Sequence, residues 1–222
     1  MAARKPDFYH PRYSAYVPAL QYADDVVHSA PLEVDFGTPV AGSATGIATA
    51  IDIAVAGEAA PTVAQVAAPF GRNLTVVASG AATSTVTVHG NDYLGQRVSE
   101  TLTLNGTTPV VGLKAFKYIS RIAYGATASR TINVGTGAAL GLPYRTATVL
   151  AEKLNSAAGT VGTLAAAVLT DPATAITGDP RGTYTPNATV NGSNRIAITA
   201  LVDNFVNPAG NGGLHGVPHF SS

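Results

Sequence analysis

From residue 32 onward, apolar side chains recur at every second position in short runs separated by clusters of Gly, Pro, Asn and Asp. A period of two is typical of β-strands that bury one face, and such clusters are typical of turns. Short strands without intervening helical patterns predict an all-β fold, an antiparallel β-sandwich or barrel-like domain. The predicted strands are residues 47–55, 74–79, 84–89, 97–104, 117–124, 130–134, 145–151 and 194–202.

The segment V-T-V-H-G-N-D-Y-L-G-Q-R-V-S-E-T-L-T-L at residues 86–104 shows the alternation most clearly. Val86 and Val88 share one face of the first strand, and on the returning strand Glu100 shares the face of the apolar residues Val98, Leu102 and Leu104. The prediction is a half-buried β-ribbon with a hydroxyl-coated outer face. The outward residues are Thr85, Thr87, His89, Ser99, Thr101 and Thr103.

The turn of this ribbon, G-N-D-Y-L-G-Q, is rich in residues that tolerate left-handed backbone angles. Further turns are predicted at 105–109, 112–114, 179–182 and 185–187. Residues 157–170 have both helical spacing and two glycines, and we interpret them as strand or irregular structure. The meander after residue 112 is expected to bury the side chains of Phe116, Tyr118, Ile122 and Tyr124.

The two ends of the chain differ from its centre. Residues 1–31 hold four of the nine tyrosines together with several prolines, which predicts an extended aromatic arm that contacts either its own domain or a neighbouring subunit. Residues 32–205 form the β-rich domain, which allows a division into two sub-domains near 125–145, and residues 206–222 form a glycine-rich tail. The predicted contact residues of the arm are Phe8, Tyr9, Tyr13, Tyr16 and Tyr22.

Composition narrows the function classes. Charged residues make up 12% of the chain and cancel to a net charge of zero, so nucleic acid is not an expected partner. No run reaches the roughly 18 apolar residues of a membrane-spanning helix, and the first residues lack the apolar core of a signal peptide. We therefore expect synthesis in the cytoplasm and no membrane partner. The absence of cysteine excludes disulfides, zinc–thiolate sites and thiol nucleophiles.

Three patterns could carry chemistry, and each has a plainer interpretation. His89 and Asp92 lack further ligands nearby, so turn formation explains them. The run G-T-G-A-A-L-G at 135–141 resembles a dinucleotide fingerprint, but Pro143 blocks the helix that would follow, so we interpret it as a glycine loop between strands. His215 and His219 have metal-ligand spacing but are separated by Gly216 and Pro218. No serine lies in a G-x-S-x-G elbow. We predict no catalytic residue, metal or cofactor.

Several phrases of the sequence resemble virion structural proteins of tailed bacteriophages, above all capsid decoration, or cement, proteins. The longest is V-T-V-H-G-N-D-Y-L-G-Q-R-V-S-E-T-L-T-L-N-G-T-T-P-V-V-G-L-K-A-F-K-Y-I at residues 86–119. The others are T-I-N-V-G-T-G-A-A-L-G-L-P-Y-R at 131–145, G-D-P-R-G-T-Y-T-P-N at 178–187 and L-H-G-V-P-H-F at 214–220. These phrases cover strands and turns and contain no catalytic signature.

The resemblance implies a non-catalytic β-rich protein on the outer surface of the virion capsid. Such proteins commonly bind as homotrimers at threefold positions and hold adjacent capsomers of the major capsid protein together against the pressure of packaged DNA. Two alternatives stay open. One is another phage component, in the tail or at the head–tail joint, where the tail at 206–216 could order on ring closure. The other is a receptor- or carbohydrate-binding module, for which nine tyrosines favour stacking but the absence of tryptophan does not.

Overall fold

The computed structural model describes residues 30–168 and 178–202, and within those ranges the protein is all-β without a helix. The fourteen strands are β1 (Ala30–Asp35), β2 (Ser43–Asp52), β3 (Gly57–Ala59), β4 (Arg72–Ala78), β5 (Thr85–Asn91), β6 (Arg97–Thr103), β7 (Val110–Val111), β8 (Tyr118–Tyr124), β9 (Thr131–Gly141), β10 (Thr146–Leu154), β11 (Ala157–Gly159), β12 (Thr163–Ala165), β13 (Thr183–Thr185) and β14 (Ile196–Val202). All eight strands predicted from the sequence overlap an observed strand. The all-β prediction is confirmed.

The strands form three antiparallel sheets. The first sheet has the order β1-β14-β10-β11 and the third has the order β3-β8-β5-β6. The second sheet, β12-β13-β9-β4-β7, also carries β2, which pairs with β9. One of the sheets curls into a half-barrel, so the arrangement is of the sandwich or barrel-like kind.

The predicted alternation along the ribbon is confirmed. In β5, Val86 and Val88 are fully buried, and in β6 the buried positions are Val98, Glu100 and Leu102. The register pairs Thr87 with Thr101 and His89 with Ser99, so their side chains lie together on the opposite face. A strand of period two keeps this division along its whole length, since a slip by one residue would invert every side chain.

The hydrophobic core extends from the first sheet to the third. A row of aromatic rings crosses it, with centroids 5.4 Å apart between Tyr93 and Phe70, and 6.3 Å apart both between Phe70 and Phe36 and between Phe36 and Tyr184. Edge-to-face and offset ring pairs at such separations are favourable beyond the area that they bury. The row connects the turn after β5, the loop before β4 and strand β13.

A buried carboxylate also joins the sheets. Glu152 in β10 is 1% exposed and accepts the hydroxyl hydrogen of Tyr184 at 2.5 Å. It accepts the backbone N–H groups of Asn187 at 3.0 Å and Ala188 at 2.7 Å. Hydrogen bonds to an ionised group are stronger than neutral ones, so this contact fixes the β13–β14 connection against the first sheet.

Six observed strands are not among the eight strands predicted individually, and five of the six have three residues or fewer. They are β1, β3, β7, β11, β12 and β13. Residues 157–168 contain β11 and β12, so the choice of strand or irregular structure there is confirmed. The predicted arm is shortened at one end, because Ala30 and Pro31 begin β1 and pair with Val202 and Leu201. Residues 1–29 and the tail at 206–222 lie outside the described residues.

Strand β9 (Thr131–Gly141) lies within residues 125–145, where the sequence allows a division into two sub-domains. It pairs with β4 from earlier in the chain and with β13 from later in the chain. It therefore holds both halves in one sheet.

The expected core of the meander is partly wrong. Phe116 and Ile122 are fully buried and the half-buried Tyr124 packs against the core, but Tyr118 is 46% exposed and Ile119 is buried instead. The cause is a register shift in the pairing of β8 with β5, where His89 faces Arg121 but Gly90 faces Ile119. The extra residue of such a bulge reverses which side chains point inward.

Gly135 is a position where a methyl group should be costly. It lies in β9 beneath the start of β2, and a Cβ atom there would overlap the backbone carbonyl oxygen of Ser43. We expect Gly135→Ala to lower the free energy of unfolding by about 3 kcal/mol, measured by urea denaturation. The matched control is Gly159→Ala, where the nearest atom would be 3.4 Å from the new Cβ. Equal stability of the two variants would contradict the close β2–β9 packing.

Candidate functional site

The outer face of the third sheet is the candidate contact surface, which we call the hydroxyl face. It consists of the outward side chains of β5 and β6: Thr85, Thr87, His89, Ser99, Thr101 and Thr103. All six are half-buried or exposed. Thr87 and Thr101 share a hydrogen bond of 2.7 Å between their Oγ1 atoms. In a regular sheet neighbouring strands lie about 4.8 Å apart, so the hydroxyls of β5 and β6 form two adjacent rows.

The hydroxyl face has few charges. Next to His89, on β8, lies Arg121, which is half-exposed and forms an ion pair of 2.5 Å with Glu58 of β3. Burial, together with the positive charge of Arg121, lowers the pKa of His89 below its ordinary value. The histidine is therefore mainly neutral near pH 7. A surface of this kind offers hydrogen bonds to a partner without requiring charges to be stripped of water.

The inner side of the same sheet contains a buried ionic cluster: Asp92, Glu100, Lys114, Asp179 and Arg181. Each of these residues is at most 2% exposed. Arg181 Nη2 lies 2.8 Å from Asp92 Oδ2, and its guanidinium carbon lies 5.0 Å from the centroid of the Tyr93 ring. Charges at this depth are stable only when they are paired and hydrogen-bonded.

The cluster joins three loops to the ribbon. Asp92 caps its own turn by accepting the N–H groups of Leu94 and Gln96 through Oδ1 at 2.9 and 2.8 Å. Asp179 does the same for Arg181 at 2.9 Å, and its other oxygen accepts the N–H of Ala115 at 3.0 Å. The turns at 92–96 and 179–182 and the loop at 112–115 are thereby held together beneath the hydroxyl face.

Glu100 and Lys114 attach the loop at 112–115 to strand β6. The Glu100 carboxylate accepts the N–H of Leu113 at 2.6 Å, and Lys114 Nζ donates to the carbonyl of Ser99 at 3.0 Å. Burial raises the pKa of Glu100 to about 7, against the lowering effect of the two backbone N–H groups and of Lys114. Burial likewise raises the pKa of Asp179, although Arg181 opposes it.

The pH dependence of stability should report on Glu100. Its carboxyl titrates at about 7 in the folded protein, against an ordinary value of 4.5, so the folded state binds the additional proton between those values. Its contribution to stability therefore falls as the pH rises from about 4.5 to about 7. This fall is absent in Glu100→Gln. The free energy of unfolding of the variant should therefore rise by roughly 3 kcal/mol relative to that of the parent protein between pH 4.5 and pH 7.

The measurement is urea unfolding of both proteins at several pH values, because the difference between them cancels the titration of other groups. The half-exposed Glu58→Gln is the matched control for the loss of one carboxylate. If the difference in the free energy of unfolding between Glu100→Gln and the parent protein does not change with pH, burial does not raise the pKa of the Glu100 carboxyl.

The structure separates the two residues of the first candidate site. His89 lies on the hydroxyl face, whereas the Asp92 carboxylate is buried and held by Arg181. The turn interpretation is confirmed, since Asp92 N–H donates to the carbonyl of Gln96 at 2.9 Å and Gly95 has a φ of 80°. The sequence missed the ion pair, because its two members are 89 positions apart and each lies in a segment with strong turn signals.

The glycine-loop interpretation of residues 135–141 is wrong. These residues are the second half of β9, and a Cβ at Gly137 would overlap the side-chain oxygen of Asn73 while one at Gly141 would overlap the carbonyl of Phe70. The glycines let neighbouring groups approach a central strand.

The remaining sequence candidates lie outside the described residues. They are His215, His219 and the arm residues Phe8, Tyr9, Tyr13, Tyr16 and Tyr22. Among residues 30–168 and 178–202, no three His, Asp or Glu side chains come together in an arrangement suited to a metal ion. The same part of the chain contains no helix of the length and apolarity needed to cross a bilayer.

No protein-family model, no curated protein and no solved structure matches this chain. A functional proposal therefore depends on the geometry of the described residues and on the sequence resemblance.

Proposed function

We propose that this protein is a bacteriophage capsid decoration protein that acts without catalysis. It binds the outer surface of the virion head, contacts the major capsid protein and holds adjacent capsomers together, as one subunit of a homotrimer. It is made in the host cytoplasm and functions on the assembled particle.

The observation that carries the proposal is the hydroxyl face. The longest phrase that resembles decoration proteins, residues 86–119, forms most of β5, all of β6 and the loop at 112–115 that the buried ionic cluster fixes. The phrase at 178–187 supplies Asp179 and Arg181 to the same cluster. Two of the four segments that carry the resemblance therefore fall on one connected unit of the fold, a polar face and the buried charges beneath it.

The physical chemistry of this unit suits adhesion. A surface that is already rigid loses little conformational entropy when it binds, and a face of short hydroxyl side chains has little rotamer freedom to lose. With only 12% charged residues in the chain, few ion desolvation costs oppose a large contact. A stable interface needs about 1,200–2,000 Å² of buried surface, and repetition over a shell multiplies its effect.

The experiment that tests the proposal is a count of bound copies. Purified heads assembled without this chain are incubated with it and sedimented, and the bound protein is quantified by mass spectrometry against the major shell protein. We expect hundreds of copies per head, as symmetric coverage of a shell requires. About a dozen copies or fewer would indicate a joining ring, and no binding to heads would reject the proposal.

A further inference from the structure

A row of polar and aromatic side chains continues the outer face of the third sheet beyond the hydroxyl face. Asn91 of β5 lies opposite Arg97 of β6 on one side and opposite Tyr118 of β8 on the other. Tyr118 in turn forms a β-bridge with Gln65. Directly opposed residues of antiparallel strands share a face of the sheet, with Cβ atoms about 4.5–5.5 Å apart. We call this row across the sheet the arginine row, and its members are Gln65, Tyr118, Asn91 and Arg97.

The arginine row and the hydroxyl face are parts of one surface. Asn91 follows His89 by two positions in β5, and Arg97 precedes Ser99 by two positions in β6. Side chains two positions apart on a strand point to the same side of the sheet. Arg97 is exposed and Tyr118 is 46% exposed. A partner that lies against the hydroxyl face therefore also meets the arginine row.

Arg97 carries a charge that no carboxylate of the described residues neutralises. Arg121, the other arginine of this surface, pairs with Glu58 at 2.5 Å. Asp92 and Glu100 are close to Arg97 in sequence, but they are 0% and 2% exposed and belong to the ionic cluster on the inner side of the sheet. Within the described ranges the Arg97 guanidinium forms no ion pair, so the outer surface retains one uncompensated positive charge.

The chemistry of Arg97 suits one kind of partner group. A guanidinium presents a planar fork of N–H donors that matches the two oxygens of a carboxylate. Arginine and tyrosine are both enriched at protein interfaces, and the arginine row contains one of each. Arg97 begins β6 beside the turn of the ribbon, so it lies at the border of the surface, where a charge acts mainly on the rate of association.

We infer that the partner of this surface presents a carboxylate opposite Arg97, within an acidic patch of the protein shell to which the chain attaches. This inference rests on the function proposed above and adds the chemistry of the partner. The carboxylate forms two parallel charge-assisted hydrogen bonds with the guanidinium and compensates its charge. The hydroxyl face supplies the uncharged part of the same contact.

Attachment to heads that were assembled without this chain tests the inference. The heads are immobilised, and the association rate and affinity of the full-length parent protein and of Arg97→Met are measured at about 0.1 M and about 1 M NaCl. At the lower concentration the variant should attach roughly tenfold more weakly, mainly because it associates more slowly. At the higher concentration charges are screened beyond roughly 3 Å, so the two proteins should differ by less than about twofold.

Two further changes at the same position separate charge from geometry. Arg97→Lys keeps the charge but lacks the planar fork, so its attachment should fall between those of the parent protein and Arg97→Met. Arg97→Glu places a negative charge opposite the partner carboxylate and should attach roughly 100-fold more weakly at about 0.1 M NaCl, because like charges repel.

The matched control is Arg130→Met. Arg130 precedes β9, outside the third sheet, and its Nη1 donates to the carbonyl of Ser129 at 2.9 Å. This control should attach as the parent protein does at both salt concentrations. An equal loss in Arg130→Met, or normal attachment of Arg97→Met together with weak attachment of Thr101→Lys, would overturn the inference and leave the proposed function intact. A parent protein that does not attach to heads would reject both.

Discussion

Replacing Arg181 with methionine is expected to lower the free energy of unfolding by about 3–5 kcal/mol, the largest loss among the changes considered for this protein. The substitution removes the ion-pair partner of the buried Asp92 carboxylate and the positive charge that opposes the rise in the pKa of Asp179. It also removes the hydrogen bond from Arg181 Nε to the carbonyl of Leu142 at 3.1 Å and the contact with the Tyr93 ring. Since domains are stable by only about 5–15 kcal/mol, much of the total would be lost.

Urea denaturation of three variants distinguishes the loss of charge pairing from the loss of side-chain packing. Arg97→Met removes an exposed arginine and should change stability by less than about 0.5 kcal/mol. Adding Asp92→Asn to Arg181→Met should restore part of the loss, because one of the stranded charges disappears. A double variant less stable than Arg181→Met alone would show that the cluster is not held by charge pairing.

Introducing a charge into the hydroxyl face should abolish most of the binding to heads. In Thr101→Lys the ammonium group lies at the centre of the face beside Thr87, where an adhering partner would have to strip it of water. We expect roughly 100-fold weaker attachment, measured by sedimentation of heads with labelled protein, because an unpaired interfacial charge costs several kcal/mol.

The control is the same substitution at Thr148, an exposed residue of β10 in the first sheet. Thr148→Lys should unfold at nearly the same urea concentration as the parent protein, because changes at exposed positions are usually mild. Thr101→Lys also loses the hydrogen bond to Thr87, which costs about 1 kcal/mol, so attachment of both variants is measured without denaturant, where both are folded. Weaker attachment of Thr148→Lys with normal attachment of Thr101→Lys would assign the contact to the first sheet and contradict the role of the hydroxyl face.

The sequence predicted the strands and faces that depend on local periodicity. The alternation of apolar and hydroxyl side chains at residues 85–88 identifies the inner and outer faces of the ribbon from the sequence alone. The hydroxyl face was therefore predictable residue by residue. Strands such as β3 and β13, with three residues each, are too short for a period to emerge.

The buried charges were not predictable in the same way. Asp92, Asp179 and Arg181 lie in segments of Gly, Pro and Asn, where a charged residue is ordinarily solvated. Their burial results from loops that meet across 89 positions of sequence. Glu100 did give a local signal, because it falls in phase with the inward residues Val98 and Leu102 of its strand. Glu152 gave none, because register shifts interrupt the alternation of β10 before it and Leu150, two positions earlier, is exposed. An acidic residue at an inward position of a strand indicates a buried carboxylate with specific donors.

The bulge in β8, where Ser120 is the additional residue opposite His89 and Gly90, shows a different limit. A period of two along the whole of β8 predicts an inward Tyr118. One additional residue of β8 opposite β5 reverses which side chains point inward, so Tyr118 points outward. Bulges depend on how two strands pair, which neither strand's own sequence specifies. The exposed Tyr118 ring consequently lies near the hydroxyl face, where it adds an aromatic group of the kind that is enriched at protein interfaces.

The central claim is that this protein works by adhesion, through a rigid hydroxyl face that lies against a capsid shell. A cryo-electron microscopy reconstruction of heads decorated with the full chain tests it most directly. We predict density for the chain over the outer shell, with Thr87 and Thr101 facing the major capsid protein. Density confined to the tail or its joint, or a bound chain whose hydroxyl face points to solvent, would contradict the account.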